Sequence, residues 1–318
     1  MTEPISGIHH VTAIATDPQT NLDFYAGVLG LRLVKRTVNF DDPGTYHFYF
    51  GDELGQPGTI LTFFPWPLAR RGGRGSGQAT VTSFSIPEGS LVYWKDRLQR
   101  LGVIAEEPEA RFAEEAIAFY DPDGLKLELV EHRDSLEGGY WKGGPVPGQH
   151  AIRGVHGVTL VEQELDPTAR LLTEVMGLEA TEAAGSRSRF ESGTPGAGRR
   201  IDVLHSPGEE RGRIAAGTVH HVAWRVPDRA TQADWRARLL DAGFHPTEVL
   251  DRQYFESIYF REPGGILFEL ATDPPGFTRD EEPADLGSAL KLPPWLEPDR
   301  QRIERMLPTV ELPELVEA

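Results

Sequence analysis

Ile8-His9-His10-Val11 and Val219-His220-His221-Val222 decide how this chain reads. Each is a pair of histidines opening a run that reads as a β-strand. The return of the phrase in a distant segment points to an internal duplication with a metal site attached. The second copy is followed by Glu269, inside the apolar run Ile266-Leu267-Phe268-Glu269-Leu270. One imidazole from each copy and that carboxylate make a ligand set of two histidines and one acid. Such a set leaves coordination positions open and suits a redox-active ferrous ion better than a structural zinc.

Outward from these phrases, the same order of elements, β-α-β-β-β, is expected four times. The first copy has a strand His10–Thr16, a helix from about Asn21 stopped by Gly30, and strands at 31–40, 46–50 and 59–64. The second has a strand 81–86, a helix 91–101 before Gly102, and strands 103–105, 116–120 and 126–131. The third has a strand 155–161, a helix 168–176 before Gly177, and later strands around Phe190 and at 201–204. The fourth has a strand 220–226, a helix 230–242 before Gly243, and strands 254–260 and 266–271. Asp121-Pro122-Asp123-Gly124 and Glu262-Pro263-Gly264-Gly265 link the last two strands of their copies with turn chemistry. The Gly- and Arg-rich stretch Arg70 to Gln78 reads as a flexible linker, and Gly138 to Gly148 divides the halves. The expected fold is α+β, four βαβββ modules in two domains: 1–145 (modules one and two) and 150–275 (modules three and four). Residues 276–318 form a Pro-rich acidic tail with one short helix suggested by Ile303, Met306 and Leu307.

The bulk properties exclude several classes. A chain of 318 residues can hold two ordinary domains, and 39% hydrophobic with 25% charged residues are globular values. A formal charge of −17 argues against a nucleic-acid partner, whose phosphates want a basic patch. No apolar run approaches membrane-spanning length, and Met1 to Ile8 lacks the charge and apolar core of a signal peptide, so the cytoplasm is the expected compartment. With no cysteine, disulfides, thiolate ligands and a cysteine nucleophile are excluded. Assembly into a homo-oligomer is left open.

Four such copies, with His at the start of a first strand and Glu in a last one, resemble the vicinal oxygen chelate superfamily of glyoxalases, extradiol dioxygenases and antibiotic-binding resistance proteins. Asp42-Pro43-Gly44-Thr45-Tyr46-His47-Phe48-Tyr49-Phe50-Gly51-Asp52-Glu53, Pro57-Gly58-Thr59-Ile60-Leu61-Thr62-Phe63-Phe64-Pro65-Trp66, Ile152-Arg153-Gly154-Val155-His156-Gly157-Val158-Thr159 and Leu292-Pro293-Pro294-Trp295-Leu296-Glu297-Pro298 are similar to its ring-cleaving branch that acts on hydroquinones. The resemblance covers nearly the whole chain.

Aligned on their first strands, the copies put His10 and His221 at one position, with Val81 and Gly157 as the counterparts in copies two and three. Glu269 aligns with Thr62, Glu128 and roughly Val203. Only copies one and four together offer His-His-Glu, so one metal site per chain is expected, with those two copies paired. Glu128 reads as a structural carboxylate held by Lys126 or an arginine. Neighbours on a strand point to opposite faces, and alternation favours His10 and His221 as the ligands. The resemblance implies that His9 and His220 stand close by, supporting the metal ligands or serving as acid/base groups, which requires a bulge or twist at the strand starts. It also implies active-site positions for Arg252 and Tyr259. His47, His132, His150, His156, His205 and His245 read as surface or core histidines.

The resemblance implies an Fe(II)-dependent ring-cleaving dioxygenase taking a small hydroquinone-type aromatic and O2, with Mn(II) suiting the same ligands. The aromatic run Phe63-Phe64-Pro65-Trp66, with Tyr254, Phe255 and Tyr259, fits a flat ring. The alternatives are a glyoxalase-type lyase or isomerase using a redox-inert metal, against which Thr62 stands where a second carboxylate ligand would be, and a metal-free binding module.

Overall fold

The computed structural model describes residues 5–132, 139–193 and 198–312. Met1 to Pro4, Gly138 at the head of the divider and residues 313–318 of the tail lie outside the described residues. The expected α+β order recurs four times. Module one is β1 (Ile8–Ala15), α1 (Pro18–Leu22), β2 (Arg32–Asn39), β3 (Asp42–Gly51) and β4 (Ile60–Pro65). Module two is β5 (Gln78–Ile86), α2 (Leu91–Arg100), β6 (Glu109–Arg111), β7 (Glu114–Tyr120) and β8 (Lys126–Glu131). Module three is β9 (Val155–Glu162), α3 (Leu165–Arg170), β10 (Glu179–Ala184), β11 (Arg187–Glu191) and β12 (Arg200–His205). Module four is β13 (Thr218–Val226), α4 (Arg229–Asp241), β14 (Leu250–Asp251), β15 (Glu256–Arg261) and β16 (Leu267–Thr272). Helices α1 and α4 start where a side chain takes up free backbone N–H groups: Asp17 accepts from Thr20 and Asp228 from Thr231. Gly243 closes α4 at φ 85°, a conformation other residues resist.

The described residues form two eight-stranded sheets, in the orders β14-β15-β16-β13-β1-β4-β3-β2 and β10-β11-β12-β9-β5-β8-β7-β6. Within a module the first and last strands pair in parallel, as β1 does with β4 and β13 with β16. That leaves the other edge of each first strand unpaired, and an open edge seeks a partner strand. The partner is another module's first strand: β1 pairs antiparallel with β13, and β5 with β9. Module one therefore shares its sheet with module four, and module two with module three. Each sheet draws strands from both halves of the sequence.

Three expectations change. Arg70 to Gln78 is not a free linker: it runs beside residues 209–216, with Gly72 N–H donating to Ala216 O at 2.8 Å, Arg213 N–H to Gly73 O at 2.8 Å and Ser76 N–H to Glu210 O at 2.9 Å. The glycines serve this close approach, since a Cβ at Gly75 would lie 2.3 Å from Glu210 O. The second strand of module two lies at β6, not at 103–105. Strands β10 and β14, absent from the sequence reading, are edge strands whose residues are all exposed, so no apolar alternation marks them.

The main core packs helices against one face of each sheet, with Trp94, Trp224 and Trp235 buried at its heart. A smaller cluster covers the other face of the first sheet: Val34, Tyr49, Ile60, Ala223 and Phe255, joined by Phe277 and Leu286 from the C-terminal segment. That segment is a strap along edge strand β2. Lys35, fully buried, pairs with Asp280 at 2.6 Å and with Glu281, Arg32 donates to Pro283 O at 2.8 Å, and Arg36 bridges to Leu290. It ends in α5 (Arg300–Met306), in which Ile303 is buried and Met306 is 46% exposed.

Candidate metal centre and cleft

His10 and His221 come from the two central strands of the first sheet, and Glu269 from the neighbouring β16. The β1–β13 ladder places Thr12 opposite His221 and His10 opposite Ala223, and Glu269 pairs with Ala223. All three side chains thus point from one face. His10 Nε2 and His221 Nε2 lie 3.3 Å apart, and Glu269 Oε2 is 3.4 Å from the first and 2.9 Å from the second. One donor atom from each lies within 4.8 Å of the others, and all three residues are buried.

The arrangement fits a cation. Glu269 is completely buried and its Oε2 receives no aligned hydrogen bond, a costly state for a carboxylate with nothing to neutralise it. Its other oxygen accepts from Ser257 Oγ, which holds the group in place. Burial raises the Glu269 carboxyl, and His10 and His221, when charged, hold it well below the usual range. Burial lowers His221, outweighing Glu269, so it stays neutral as a ligand must.

The second histidine of each pair reaches the site through a bulge. In the β1–β13 ladder the register slips between Ile8 and His10 on one strand, and between the partners of Thr12 and Ala13 on the other. The extra residues at these slips are His9 and His220, which breaks strict alternation. His9 Nδ1 lies 2.9 Å from His10 Nδ1, and His220 Nδ1 lies 2.8 Å from His221 Nδ1. His220 lines the cleft, whereas His9 packs against the rings of His10 and Phe255, both at 5.1 Å. Burial and His221 push His220 down to about 3, and burial and His10 push His9 well below the ordinary imidazole range.

A cavity of about 310 Å³ opens over the ligands. Its wall from module four holds Arg252, Phe255, Tyr259 and Leu267; its wall from module one holds Asn39, Phe40, Asp41, His47, Tyr49, Phe64 and Trp66. Tyr259 stands opposite Glu269 in the β15–β16 ladder, with its ring 5.7 Å from that of His221. Arg252 Nε lies 3.3 Å from the Tyr259 hydroxyl, and Arg252 Nη1 reaches across the mouth to Asp41 at 3.0 Å. Burial disfavours the Arg252 charge, but Tyr259, Asp41 and Glu269 together keep it firmly protonated. Phe63 and Tyr254, expected in the aromatic wall, are instead buried in the packing, Tyr254 donating to Asp280 at 3.0 Å.

Sequence reasoning missed His47, which is not a bystander. It lines the cleft and is hydrogen-bonded to Thr62 and Tyr49, both at 2.9 Å. The available signal was its two-residue spacing from Tyr49 on a strand facing Thr62. A second correction concerns module three. Asp202, not Val203, is the counterpart of Glu269, because it pairs with Thr159, two residues beyond Gly157. Glu128 pairs with Ser83 in the same way. These two acids sit among arginines: Arg111 Nη2 donates to Glu128 at 2.8 Å, and Arg189 and Arg187 donate to Asp202, each at 2.8 Å. Lys126, the other candidate partner of Glu128, goes to Glu106.

A two-sheet fold of βαβββ modules with a two-histidine, one-carboxylate cluster in its cleft defines a vicinal oxygen chelate protein. The sequence profile of the Glyoxalase/Bleomycin resistance protein/Dioxygenase superfamily matches residues 7–129 and 154–270, and the chain belongs to that superfamily. It is 50% identical, over 99% of its length and 100% of the relative's, to a Bacillus subtilis (strain 168) protein provisionally named ring-cleaving dioxygenase MhqO. It is 35% identical to the chlorohydroquinone/hydroquinone 1,2-dioxygenase of Sphingobium indicum, over 96% of this chain and 97% of that one. A crystal structure of a provisionally named dioxygenase from Bacillus subtilis subsp. subtilis str. 168, 50% identical, superposes with a TM-score of 0.95 over 98% of this chain and 100% of that one. Glyoxalase I from Zea mays shares the fold at 13% identity, with a TM-score of 0.63 over 84% of this chain and 92% of that one. The relatives support a dioxygenase.

Proposed function

We propose that the protein is an Fe(II)-dependent dioxygenase that opens the ring of a hydroquinone-type substrate with O2. The observation that carries this reading is the convergence of His10 Nε2, His221 Nε2 and the orphaned Glu269 Oε2 on one point beneath a cleft with aromatic walls. Two of the relatives support it by name: one is called a ring-cleaving dioxygenase and the other a chlorohydroquinone/hydroquinone 1,2-dioxygenase. When bound, the ferrous ion supplies the redox chemistry that couples O2 to an aromatic ring, and Mn(II) suits the same ligands.

The chain's own residues have separable tasks in this reading. His10 and His221 face the metal point through Nε2, so each carries its proton on Nδ1 and donates it to the neighbouring His9 or His220, which fixes tautomer and ring angle. His220, neutral and at the cleft wall, is placed to take or return a substrate proton. Arg252 and Tyr259 offer a fixed charge and a hydroxyl where negative charge develops on the substrate. Phe64, Trp66 and Phe255 hold a flat ring and exclude water. In this reading the sequence halves 1–145 and 150–275 are the units of duplication, and the protein works in the cytoplasm.

Anaerobic loading with Fe(II), followed by O2 uptake on a panel of hydroquinones and catechols, tests the proposal. Uptake with ring opening on hydroquinones is expected. Rapid cleavage of catechols alone would move the protein to the ordinary extradiol class. Hemithioacetal isomerisation without O2 uptake would replace the proposal with the glyoxalase-type reading.

A further inference from the structure

Modules one and four are related by an approximate twofold between β1 and β13, and the two sides of the cleft can be compared residue by residue. On the module-four side stand Glu269, Tyr259 opposite it, and Ser257 hydrogen-bonded to it. On the module-one side the same ladder positions hold Thr62, Tyr49 opposite it, and His47 hydrogen-bonded to it. The module-four side supplies a metal ligand; the module-one side builds a chain of neutral polar groups instead. Tyr49 Oη lies 2.9 Å from His47 Nδ1, His47 Nε2 lies 2.9 Å from Thr62 Oγ1, and Thr62 Oγ1 lies 2.8 Å from Thr12 Oγ1. All four residues are buried, and His47 and Tyr49 face the cavity.

The ligand set uses none of these groups; the four side chains satisfy one another along the chain, and Tyr49, at the cavity end, keeps hydrogen-bonding capacity that the chain does not use. Resting on the dioxygenase reading above, we propose that Tyr49, positioned by His47, hydrogen-bonds the ring hydroxyl that the metal triad does not take, and so selects hydroquinones over monophenols. The direction of the chain does not matter to this role. A tyrosine hydroxyl has one donor and two acceptor sites, and the bond to His47 leaves it able to bond once more as donor or acceptor. Burial, with Tyr259 and Glu269 adding to it, pushes the Tyr49 hydroxyl well above its ordinary value, so it meets substrate as a neutral phenol. Thr62 and Thr12 anchor the far end of the chain and hold the His47 ring, which also packs at 4.0 Å and 4.3 Å from the rings of Tyr49 and Phe64.

The test is anaerobic titration of the Fe(II)-loaded protein with hydroquinone and with phenol, read by quenching of Trp66 at the cleft wall. Phenol lacks the second hydroxyl without adding bulk. Wild type is expected to prefer hydroquinone by about tenfold, the worth of one hydrogen bond of roughly 1.4 kcal/mol. Tyr49→Phe should reduce that preference to within about twofold by weakening hydroquinone alone, with iron content unchanged. His47→Ala should behave likewise, and His47→Gln, whose amide can still hold the Tyr49 hydroxyl, should retain most of the preference. Equal binding of the two ligands by wild type, or a preference that survives Tyr49→Phe, would overturn the assignment. A Tyr49→Phe protein that fails to fold leaves the His47→Ala and His47→Gln pair to decide: equal loss of preference in both overturns the role. Preserved discrimination with no O2 uptake on any ring would leave this assignment standing and remove the dioxygenase reading instead.

Discussion

Thr62 and Glu269 occupy the same place in the two halves of one sheet. Thr62 pairs with Thr12, two residues past His10, and Glu269 pairs with Ala223, two residues past His221. One is a hydroxyl tied to His47 and Thr12; the other is a carboxylate facing two imidazoles. The approximate twofold is therefore broken at the point where a fourth protein ligand would stand; in the proposed reading, three ligands would leave room for substrate and O2.

Replacing His10, His221 or Glu269 with Ala should abolish Fe(II) binding and turnover while the metal-free protein melts as a folded chain. Thr62→Val should keep iron at the wild-type level. Metal content by mass spectrometry decides, and full iron occupancy in Glu269→Ala would refute the ligand assignment.

His9→Ala and His220→Ala each remove the acceptor of a ligand's Nδ1 proton. Iron affinity should fall by about 10- to 100-fold in each, the usual cost of losing a partner that orients a metal ligand. Competition with a chelator measures it, and unchanged affinity in both would mean the neighbouring histidines do not orient His10 and His221.

Tyr259→Phe takes a hydroxyl from beside Glu269 and Arg252. Turnover should drop on the order of 100-fold, as for other single positioned donors, with iron affinity little changed. Single-turnover kinetics beside the chelator titration separates the two effects. A parallel loss of iron would reassign Tyr259 to metal binding.

In the second sheet, Asp202→Asn should cost about 1–3 kcal/mol, because buried Arg189 keeps Glu114 at 2.8 Å but loses a charged partner, and half-buried Arg187 loses its own. Burial works to raise the Asp202 carboxyl, but Arg189 and its neighbours hold it below the ordinary range. Its contribution is thus complete above the unfolded-state value near pH 4 and is lost as pH falls through the folded one. Urea unfolding should show the variant losing acid sensitivity with iron content unchanged. Normal stability would show that the arginine cluster does not need this carboxylate.

Glu162 carries the opposite sign. Burial, then the adjacent Glu262, raises it to about 8. Glu262 beside it accepts from Thr168 Oγ1 at 2.7 Å and from Ile266 N–H at 2.8 Å. Stability from the protonated Glu162 is complete below its unfolded value of about 4.3 and is lost as pH rises through about 8. Glu162→Gln should flatten that decline and gain about 1–3 kcal/mol at pH 8. Denaturant midpoints from pH 5 to 8.5 test it, and parallel curves for wild type and variant would exclude the protonated pair.

Much was legible in the one-dimensional pattern because it rests on local chemistry. The repeated His-His phrase marked the duplication. Gly102 and Gly243 marked the ends of α2 and α4, and Gly30 and Gly177 the ends of the π-helical turns Asp23–Val28 and Leu171–Val175 that continue α1 and α3. A glutamate inside Leu267-Phe268-Glu269-Leu270 announced a carboxylate that burial would make expensive without a cation. Alternation chose His10 and His221 over their neighbours, and it also required a bulge before His9 and His220 could approach.

The pairing of strands decided the rest, since register and edge partners depend on contacts between distant segments. Only the ladder shows that His9 and His220 are the extra residues at two slips in β1 and β13, that Asp202 rather than Val203 faces Glu128 across the second sheet, and that 70–78 is held by 209–216. His47 became part of the cleft through the β3–β4 pairing that brings it to Thr62, and Lys35 acquired its acids when the C-terminal strap crossed β2. The sequence by itself determined which residues were chemically able to make a site; the tertiary fold determined which of them meet, because a side chain's neighbours across a sheet are set by strand register and not by its own stretch of chain.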